Sequence, residues 1–270
     1  MAIITISRGS YSKGKEVAEK VCARLGYGCF SRDVLVEASA EFNIPEIKLV
    51  RALHDAPSVL DRFTYGKERY LAYIEAAILE RVQKDNVVYH GLAGHFFLKG
   101  VSHVLKVRIM ADLEQRVQEE MAREGISRDE ALYTLKKDDQ ERSKWSLSLY
   151  GMDTSDASLY DLVIHIRKIT VDDAVEIICR TASFENFKTT PESQRVLDNM
   201  VLAAQVRAKL VKAYPTVQVS ARGGVVSISA PGEATIARAV ESEIGAIAEQ
   251  VPGVKEVNVD VTSAGLFTTD

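Results

Sequence analysis

The spacing of apolar and polar positions divides the first two thirds of the chain into strands that alternate with helices. Residues 2–6 form a short run rich in β-branched side chains, which is typical of a buried strand. From Lys15 the apolar positions recur at helical spacing until Gly26, a common helix stop. Because strands and helices alternate, we expect a parallel sheet covered on both faces. Further strands are predicted at 87–89, 104–110 and 162–166, and further helices at 33–42, 46–53, 67–84, 113–123 and from 170 to about 181. Ser127 and Glu130 match a capping box, which predicts one more helix from 127.

The pattern changes after residue 182. Residues 183–193 have no apolar periodicity, so we interpret them as a linker between a domain at 1–182 and a second domain at 194–262, with 263–270 as a tail. Gly223-Gly224 between two strand-like runs predicts a hairpin, and the second domain is therefore a small α+β unit. Its predicted elements are a helix at 194–213, strands at 216–221 and 225–229, a helix at 235–250 and a strand at 254–261.

Composition narrows the class of protein. Hydrophobic residues make up 46% and charged residues 27%, as in soluble globular proteins. The net charge of −4 has both signs interspersed, which argues against a general nucleic-acid binder. Cys22, Cys29 and Cys179 lack metal-ligand spacing and favour reduced thiols. We see neither a signal peptide nor an uncharged run long enough to span a bilayer, so we expect a cytoplasmic protein without stable membrane insertion.

Residues 9–15 read Gly-Ser-Tyr-Ser-Lys-Gly-Lys and match the pattern G-x-x-x-x-G-K between the first strand and the first helix. Small residues let backbone N–H groups point at phosphate oxygens, and Lys15 can reach the β- and γ-phosphates. An ordinary Gly/Ser turn with solvated Lys13 and Lys15 is the alternative, since the spacing alone is modestly specific. Glu16 stands where Ser or Thr normally contacts Mg²⁺. The residues expected to hold the nucleotide are Gly9, Ser10, Tyr11, Ser12, Lys13, Gly14, Lys15 and Glu16.

Residues 7–18, Ser-Arg-Gly-Ser-Tyr-Ser-Lys-Gly-Lys-Glu-Val-Ala, resemble the opening of the cytidylate-kinase-like P-loop family, which typically reads S-R-x-x-G-S-G-G-R-E-I-A. The resemblance continues through Leu-Gly-Tyr at 25–27 and a lid-like region at 125–164, to about residue 180. It implies a P-loop fold of the nucleoside-monophosphate-kinase type, with a core, a mobile nucleotide-binding part and a helical lid. A glutamate after the basic residue is normal in that family.

The resemblance also implies roles for individual residues. Lys15, Arg142 and Arg116 would be the catalytic residues, with the two arginines stabilising the transferring phosphoryl group. A solvated helix face is the alternative for both arginines. Asp33 would orient the phosphate acceptor, or it simply caps a helix.

His90 marks a departure from the family pattern. Tyr89-His90-Gly91 stands where cytidylate kinases have Gly-Arg-Asp for the acceptor nucleotide. His90 either contacts the acceptor phosphate or is a buried structural residue, and it lacks the rigid fork of an arginine. We therefore do not expect specificity for CMP.

Residues 195–262 resemble the BON domain, most specifically at Val-Pro-Gly-Val-Lys (251–255) before an alternating strand. That family is associated with lipid or ligand binding and with protein assembly. Residues 194–261 contain seven Lys/Arg and seven Asp/Glu, so attraction to anionic lipid is not indicated. We expect a regulatory or assembly role, through a protein partner or self-association.

These patterns predict an ATP-dependent phosphotransferase that uses ATP and Mg²⁺ and acts on a nucleoside monophosphate or another small acceptor. One alternative is a nucleotide-binding sensor with little kinase activity that signals through its C-terminal domain. A structural adaptor with a vestigial loop is the third.

Overall fold

Within the described residues, five parallel strands form the central sheet, in the order β2-β3-β1-β4-β5. The computed structural model describes residues 2–9, 12–31, 65–91, 94–233 and 235–262. The helices predicted at 33–42 and 46–53 lie outside these residues. The strands are β1 (Ile3–Arg8), β2 (Gly28–Phe30), β3 (Val87–His90), β4 (Val104–Ala111) and β5 (Leu162–Ile166).

Helices cover both faces of this sheet, and local sequence explains where they begin. The predicted capping box of Ser127 and Glu130 is confirmed, since each side chain bonds the other residue's backbone N–H. Thr170 and Asp173 form a second capping box. The helices are α1 (Gly14–Leu25), α2 (Gly66–Val82), α3 (Leu113–Glu124), α4 (Arg128–Tyr150) and α5 (Val171–Ala182), with short 3₁₀ helices at Gly94–Leu98, Ala157–Leu159 and Glu185–Phe187.

Alternate side chains of β1 enter two different cores. Ile4 and Ile6 pack with apolar residues of α1 and α5, whereas Ile3 packs with residues of α2. This alternation follows from the two-residue period of a strand, and it places β1 between two helical layers. The predicted α/β fold class is therefore confirmed.

The second, smaller sheet has three strands in the order β6-β7-β8. Its β6 and β7 are antiparallel and joined by Gly223 and Gly224, whose φ angles of 62° and 95° suit glycine. The predicted hairpin is thus confirmed, while β7 and β8 are parallel. The elements are α6 (Pro191–Leu210), β6 (Gln218–Arg222), β7 (Val225–Pro231), α7 (Ala237–Ala248) and β8 (Glu256–Thr262).

Helix α6 begins at Pro191, three residues before the predicted start at Gln194. The Thr190 side chain caps it, and proline at the first helical position is already set to the required φ. This Thr-Pro signal lies within the predicted linker at 183–193.

Helix α6 contributes to the cores of both sheets. Ala204 and Ala208 are buried in the same cluster as Ile74 of α2, whereas Val206 and Leu210 pack under the small sheet. The alanines let the two helix backbones approach closely. The larger residues that α6 gives to the first cluster are Leu197 and Val201.

Polar contacts accompany this packing. Glu75 of α2 and Arg207 of α6 form an ion pair with Oε2 and Nη1 2.9 Å apart. Burial raises the pKa of Glu75, and the neighbouring Arg207 opposes this effect. The Arg69 guanidinium donates to the Lys212 carbonyl at 3.0 Å. A cleft of about 830 Å³ lies beside this contact, between α2, α6 and β6.

The close approach of β1 and α1 gives a first prediction. A Cβ on Gly14 would lie 2.5 Å from Cβ and 2.8 Å from Cδ of Arg8, so the Arg8 stem occupies that space. We expect Gly14→Ala to lower the free energy of unfolding by about 1–3 kcal/mol in urea titrations followed by circular dichroism. Gly245→Ala is the matched control, because nothing lies within 4 Å of its Cβ position in α7. A Gly14→Ala variant as stable as the control would contradict this packing.

The double role of α6 gives a second prediction. Ala204→Leu should lower the free energy of unfolding by roughly 1–3 kcal/mol, because Ala204 is buried at 4% exposure against α2. Ala203→Leu, at a half-buried position of the same helix outside that cluster, should change it by about 0.5 kcal/mol or less. Calorimetry of both variants checks this, and equal stabilities would show that α6 does not pack tightly on α2.

Candidate phosphate-binding site

The loop between β1 and α1 lies at the carboxyl edge of the parallel sheet. Its strand, β1, is central, with β3 on one side and β4 on the other. Ligands of open α/β sheets bind at this edge, where loops leave the strands. Gly9 and residues 12–16 of the predicted loop are described, whereas Ser10 and Tyr11 lie outside the described residues.

The described part of the loop forms a tight turn. The buried Ser12 hydroxyl donates to the Gly9 carbonyl at 3.1 Å. Lys13 adopts the left-handed conformation with φ 64°, which is uncommon for a residue with a side chain. Its Nζ lies 2.9 Å from Oε1 of Glu119 on α3. This ion pair holds Lys13 in a conformation that costs free energy, and such strain is frequent at ligand sites.

The amino end of α1 presents backbone N–H groups to the loop. Lys13 precedes the helix, and its side chain makes no capping hydrogen bond. The first N–H groups of a helix have no partner within the helix, and the helix dipole adds positive potential there. This end of α1 therefore suits an anion such as a phosphate group.

Lys15 is exposed at the first turn of α1. Its Nζ lies 3.7 Å from Oε1 of Glu19, and 66% of the Lys15 side chain is accessible. An exposed pair of this kind contributes little free energy, so Lys15 can exchange Glu19 for a phosphate at small cost. The Glu16 carboxylate lies 3.3 Å from Nζ of Lys20, further along the helix.

Arg116 of α3 lies against the loop. A Cβ built on Gly9 would be 3.9 Å from Cζ of Arg116. The Arg116 residue is 8% exposed, and its guanidinium makes two parallel hydrogen bonds of 2.9 Å to the carboxylate of Asp139 on α4. This bidentate pair connects the loop to the helix of the predicted lid.

Arg142 follows Asp139 by three residues on α4 and is half-buried. Residues three apart share a helix face, so Arg142 lies on the side of α4 that Asp139 turns towards Arg116. The structure thus brings Arg116 to the loop and Arg142 to the same side of the lid helix.

His90 ends β3 and is 7% exposed. It is in register with Ile6 of β1, and the Gly91 N–H donates to the Ile6 carbonyl at 3.1 Å. His90 is therefore a buried residue one strand away from the loop. Asp33, the other predicted acceptor residue, lies outside the described residues.

A polar cluster on β4, which we did not predict, lies next to β1. Arg108 is in register with Ser7, and its Nη1 lies 3.4 Å from the Tyr160 hydroxyl. The Tyr160 hydroxyl donates to the Thr154 carbonyl at 3.0 Å and lies 3.3 Å from Oγ of Ser7. A signal was present in the sequence: Lys106 and Arg108 interrupt a strand that should be apolar on both faces.

His95 packs beside this cluster, with its ring centroid 4.9 Å from that of Tyr160. Burial lowers the pKa of His95 to about 4, and the charges of Lys106 and Arg108 add to the effect. His95 is therefore neutral at physiological pH.

In the part of the chain that the structure describes, no helix has the length and apolar character needed to cross a membrane. No three His, Cys, Asp or Glu side chains within the described ranges come together as a possible metal site.

Known proteins resemble this chain over different lengths. A cytidylate kinase of Thermococcus sibiricus is 35% identical over 100 residues, which cover 37% of this chain and 51% of that protein. A cytidylate kinase of Pyrobaculum aerophilum is 24% identical over 190 residues, which cover 68% of this chain and 97% of that protein. The chain thus spans about half of the first relative and almost all of the second.

A solved structure supports the fold. The crystal structure of an uncharacterized protein from Eubacterium ventriosum matches with a TM-score of 0.50 and 22% identity, over 67% of this chain and 98% of that one. At this identity the match concerns the fold alone.

A family model matches residues 3–168, which contain the phosphate loop, Arg116 and Arg142. The match ends before the small second sheet, so the resemblance of that region to the BON domain stays a prediction. Because the match covers more than half of the 270 residues, the chain belongs to the cytidylate kinase-like family.

Proposed function

We propose that this protein is an ATP-dependent phosphotransferase that moves the γ-phosphoryl group of ATP to a nucleoside monophosphate or another small acceptor. One observation carries the proposal: the uncapped amino end of α1 and the exposed Lys15 lie together at the carboxyl edge of the central strand. Curated cytidylate kinases among the relatives support the same reaction class.

The donor phosphates would lie on the loop. Backbone N–H groups at the start of α1 would donate hydrogen bonds to the phosphate oxygens. Lys15 would leave Glu19 and contact the β- and γ-phosphates. Bound Mg²⁺ would neutralise part of the phosphate charge. Glu16 stands at the position of the usual hydroxyl ligand, and its carboxylate pairs with Lys20. Position 16 therefore offers no hydroxyl group to the metal.

The two arginines would act on the transferring group. Charge in phosphoryl transfer is spread over three oxygens, and fixed cations stabilise it without covalent chemistry. Arg116 lies at Gly9 and is held by Asp139 of α4, so movement of the lid helix would shift the guanidinium relative to the phosphates. Arg142, on the same side of α4, would approach the site with that helix.

A nucleotide-binding sensor is the second candidate, and the position of α6 favours it. This helix packs on α2 next to the first sheet and also forms the core of the small sheet. A change in α2 on nucleotide binding would thus reach the BON-like region, which would pass it to a protein partner or a second copy of the chain. In this version Glu16 and His90 reflect a site that binds without efficient transfer.

Removal of the Lys15 charge tests the proposal directly. In isothermal titration we expect Lys15→Ala to weaken ATP binding by about 10–100-fold, because charge-assisted hydrogen bonds to phosphate are lost. Arg24→Ala is the matched control on the same helix, since Arg24 is exposed in the last turn of α1, at the end away from the loop. Its affinity for ATP should stay close to that of the wild type.

An assay of ADP release with a panel of nucleoside monophosphates separates the two candidates. Release that depends on both Lys15 and an acceptor supports the phosphotransferase, whereas ATP binding without turnover supports the sensor. If the wild type binds no ATP with or without Mg²⁺, both candidates are wrong.

A further inference from the structure

Arg108 is a half-buried cation near the phosphate loop, and none of the steps proposed above involves it. It lies on β4 in register with Ser7, two residues before Gly9. The register also pairs Ile6 with Val107, and both of these belong to the core under α1 and α5. Because neighbouring residues of a strand face opposite ways, Arg108 lies on the other face of the sheet from α1.

The guanidinium of Arg108 has unused capacity to bind an anion. In the described part of the chain it makes no ion pair, and its polar contact is the 3.4 Å approach of Nη1 to the Tyr160 hydroxyl. An arginine offers five N–H donors in a fixed fork. Arg116 and Arg207, two other partly buried arginines, each meet a carboxylate at 2.9 Å.

Tyr160 holds this guanidinium in place. Cζ of Arg108 lies 5.6 Å from the centroid of the Tyr160 ring, a distance at which a cation is attracted to the ring face. The Tyr160 hydroxyl is in turn bound to the Thr154 carbonyl. Arg108 is therefore oriented before a ligand binds, which reduces the conformational entropy that its side chain loses on binding.

The charges around Arg108 favour an anion. Lys106 lies two residues earlier on the same face of β4, and His95 beside it is neutral. Two acidic groups lie nearby. The pKa of Asp153 is lowered first by hydrogen bonds from Ser155 and more weakly by the charge of Arg108, and Oδ2 of Asp161 accepts the Lys106 backbone N–H at 2.8 Å. The Asp153 oxygens accept the Ser155 backbone N–H at 2.8 Å and the Ser155 hydroxyl at 2.7 Å.

We propose that Arg108 is the residue that binds the phosphate group of a nucleoside monophosphate acceptor. The proposal rests on the proposed phosphotransferase function and refines it. The donor would take the α1 side of the loop, and the acceptor would take the opposite side, where Arg108 and Lys106 provide positive charge. A bidentate guanidinium would fix the acceptor phosphate and leave one of its oxygens free to attack the donor.

Equilibrium binding of phosphomonoesters tests the assignment without relying on turnover. The probes are inorganic phosphate and a panel of nucleoside monophosphates, titrated into wild type, Arg108→Met, Arg108→Lys and Arg128→Met. Arg128 is the matched control, an exposed arginine paired with Glu114 at 2.7 Å. Titrations of ATP into the same four proteins report the donor site separately.

We expect the wild type to bind at least one phosphomonoester. Arg108→Met should weaken that binding by about 10–100-fold, and Arg108→Lys should retain part of it, because lysine keeps the charge but not the fork. Affinity for ATP should stay unchanged in both variants, and Arg128→Met should match the wild type. If the wild type turns over, Arg108→Lys should raise KM for the acceptor by a larger factor than it lowers kcat.

Three outcomes would overturn the assignment. In the first, both Arg108 variants bind the phosphomonoester as tightly as the wild type. In the second, the variants lose as much affinity for ATP as for the phosphomonoester. In the third, the wild type binds ATP but no phosphomonoester. Failure of ATP binding alone would instead contradict the phosphotransferase and leave the phosphomonoester titration to decide on Arg108. Because lysine retains length and charge, Arg108→Lys keeps the test decisive if Arg108→Met does not fold.

Discussion

The turn from β1 into α1 is the constraint on which the rest of the site depends. A buried central strand must end and a helix must begin within a few residues, close enough that the Arg8 stem fills the space of a Cβ at Gly14. Lys13 takes a left-handed conformation to make this turn, and Glu119 holds its side chain. The consequence is an open helix end that faces the edge of the sheet, where its dipole can act on an anion.

Around this turn, cations are distributed on both sides of the sheet. Lys15 and Arg116 approach the loop from α1 and α3, while Arg108 approaches from the opposite face of β4. Two phosphate groups would therefore meet between positive charges, which stabilise phosphoryl transfer. Arg116 is held by Asp139, so the same guanidinium also connects the loop to the lid helix.

The sequence predicted the elements that depend on local signals. The strand–loop–helix order around Lys15, the Ser127 capping box and the Gly223-Gly224 hairpin all follow from spacing and turn chemistry, and the structure confirms them. The Arg108 cluster and the double packing of α6 depend on contacts between distant segments, such as Ser7 with Tyr160 and α6 with α2. A single sequence does not report such contacts. The roles of Lys15, Arg116, Arg142 and His90 stay predictions, as does that of Asp33, which lies outside the described residues.

A crystal structure with a non-hydrolysable ATP analogue tests the central claim most directly. The account predicts β- and γ-phosphate oxygens within hydrogen-bond distance of the N–H groups of Gly14 and Lys15, with Nζ of Lys15 moved from Glu19 to a phosphate. A nucleotide bound elsewhere, for example in the cleft between α2, α6 and β6, with Lys15 still paired to Glu19, would contradict it.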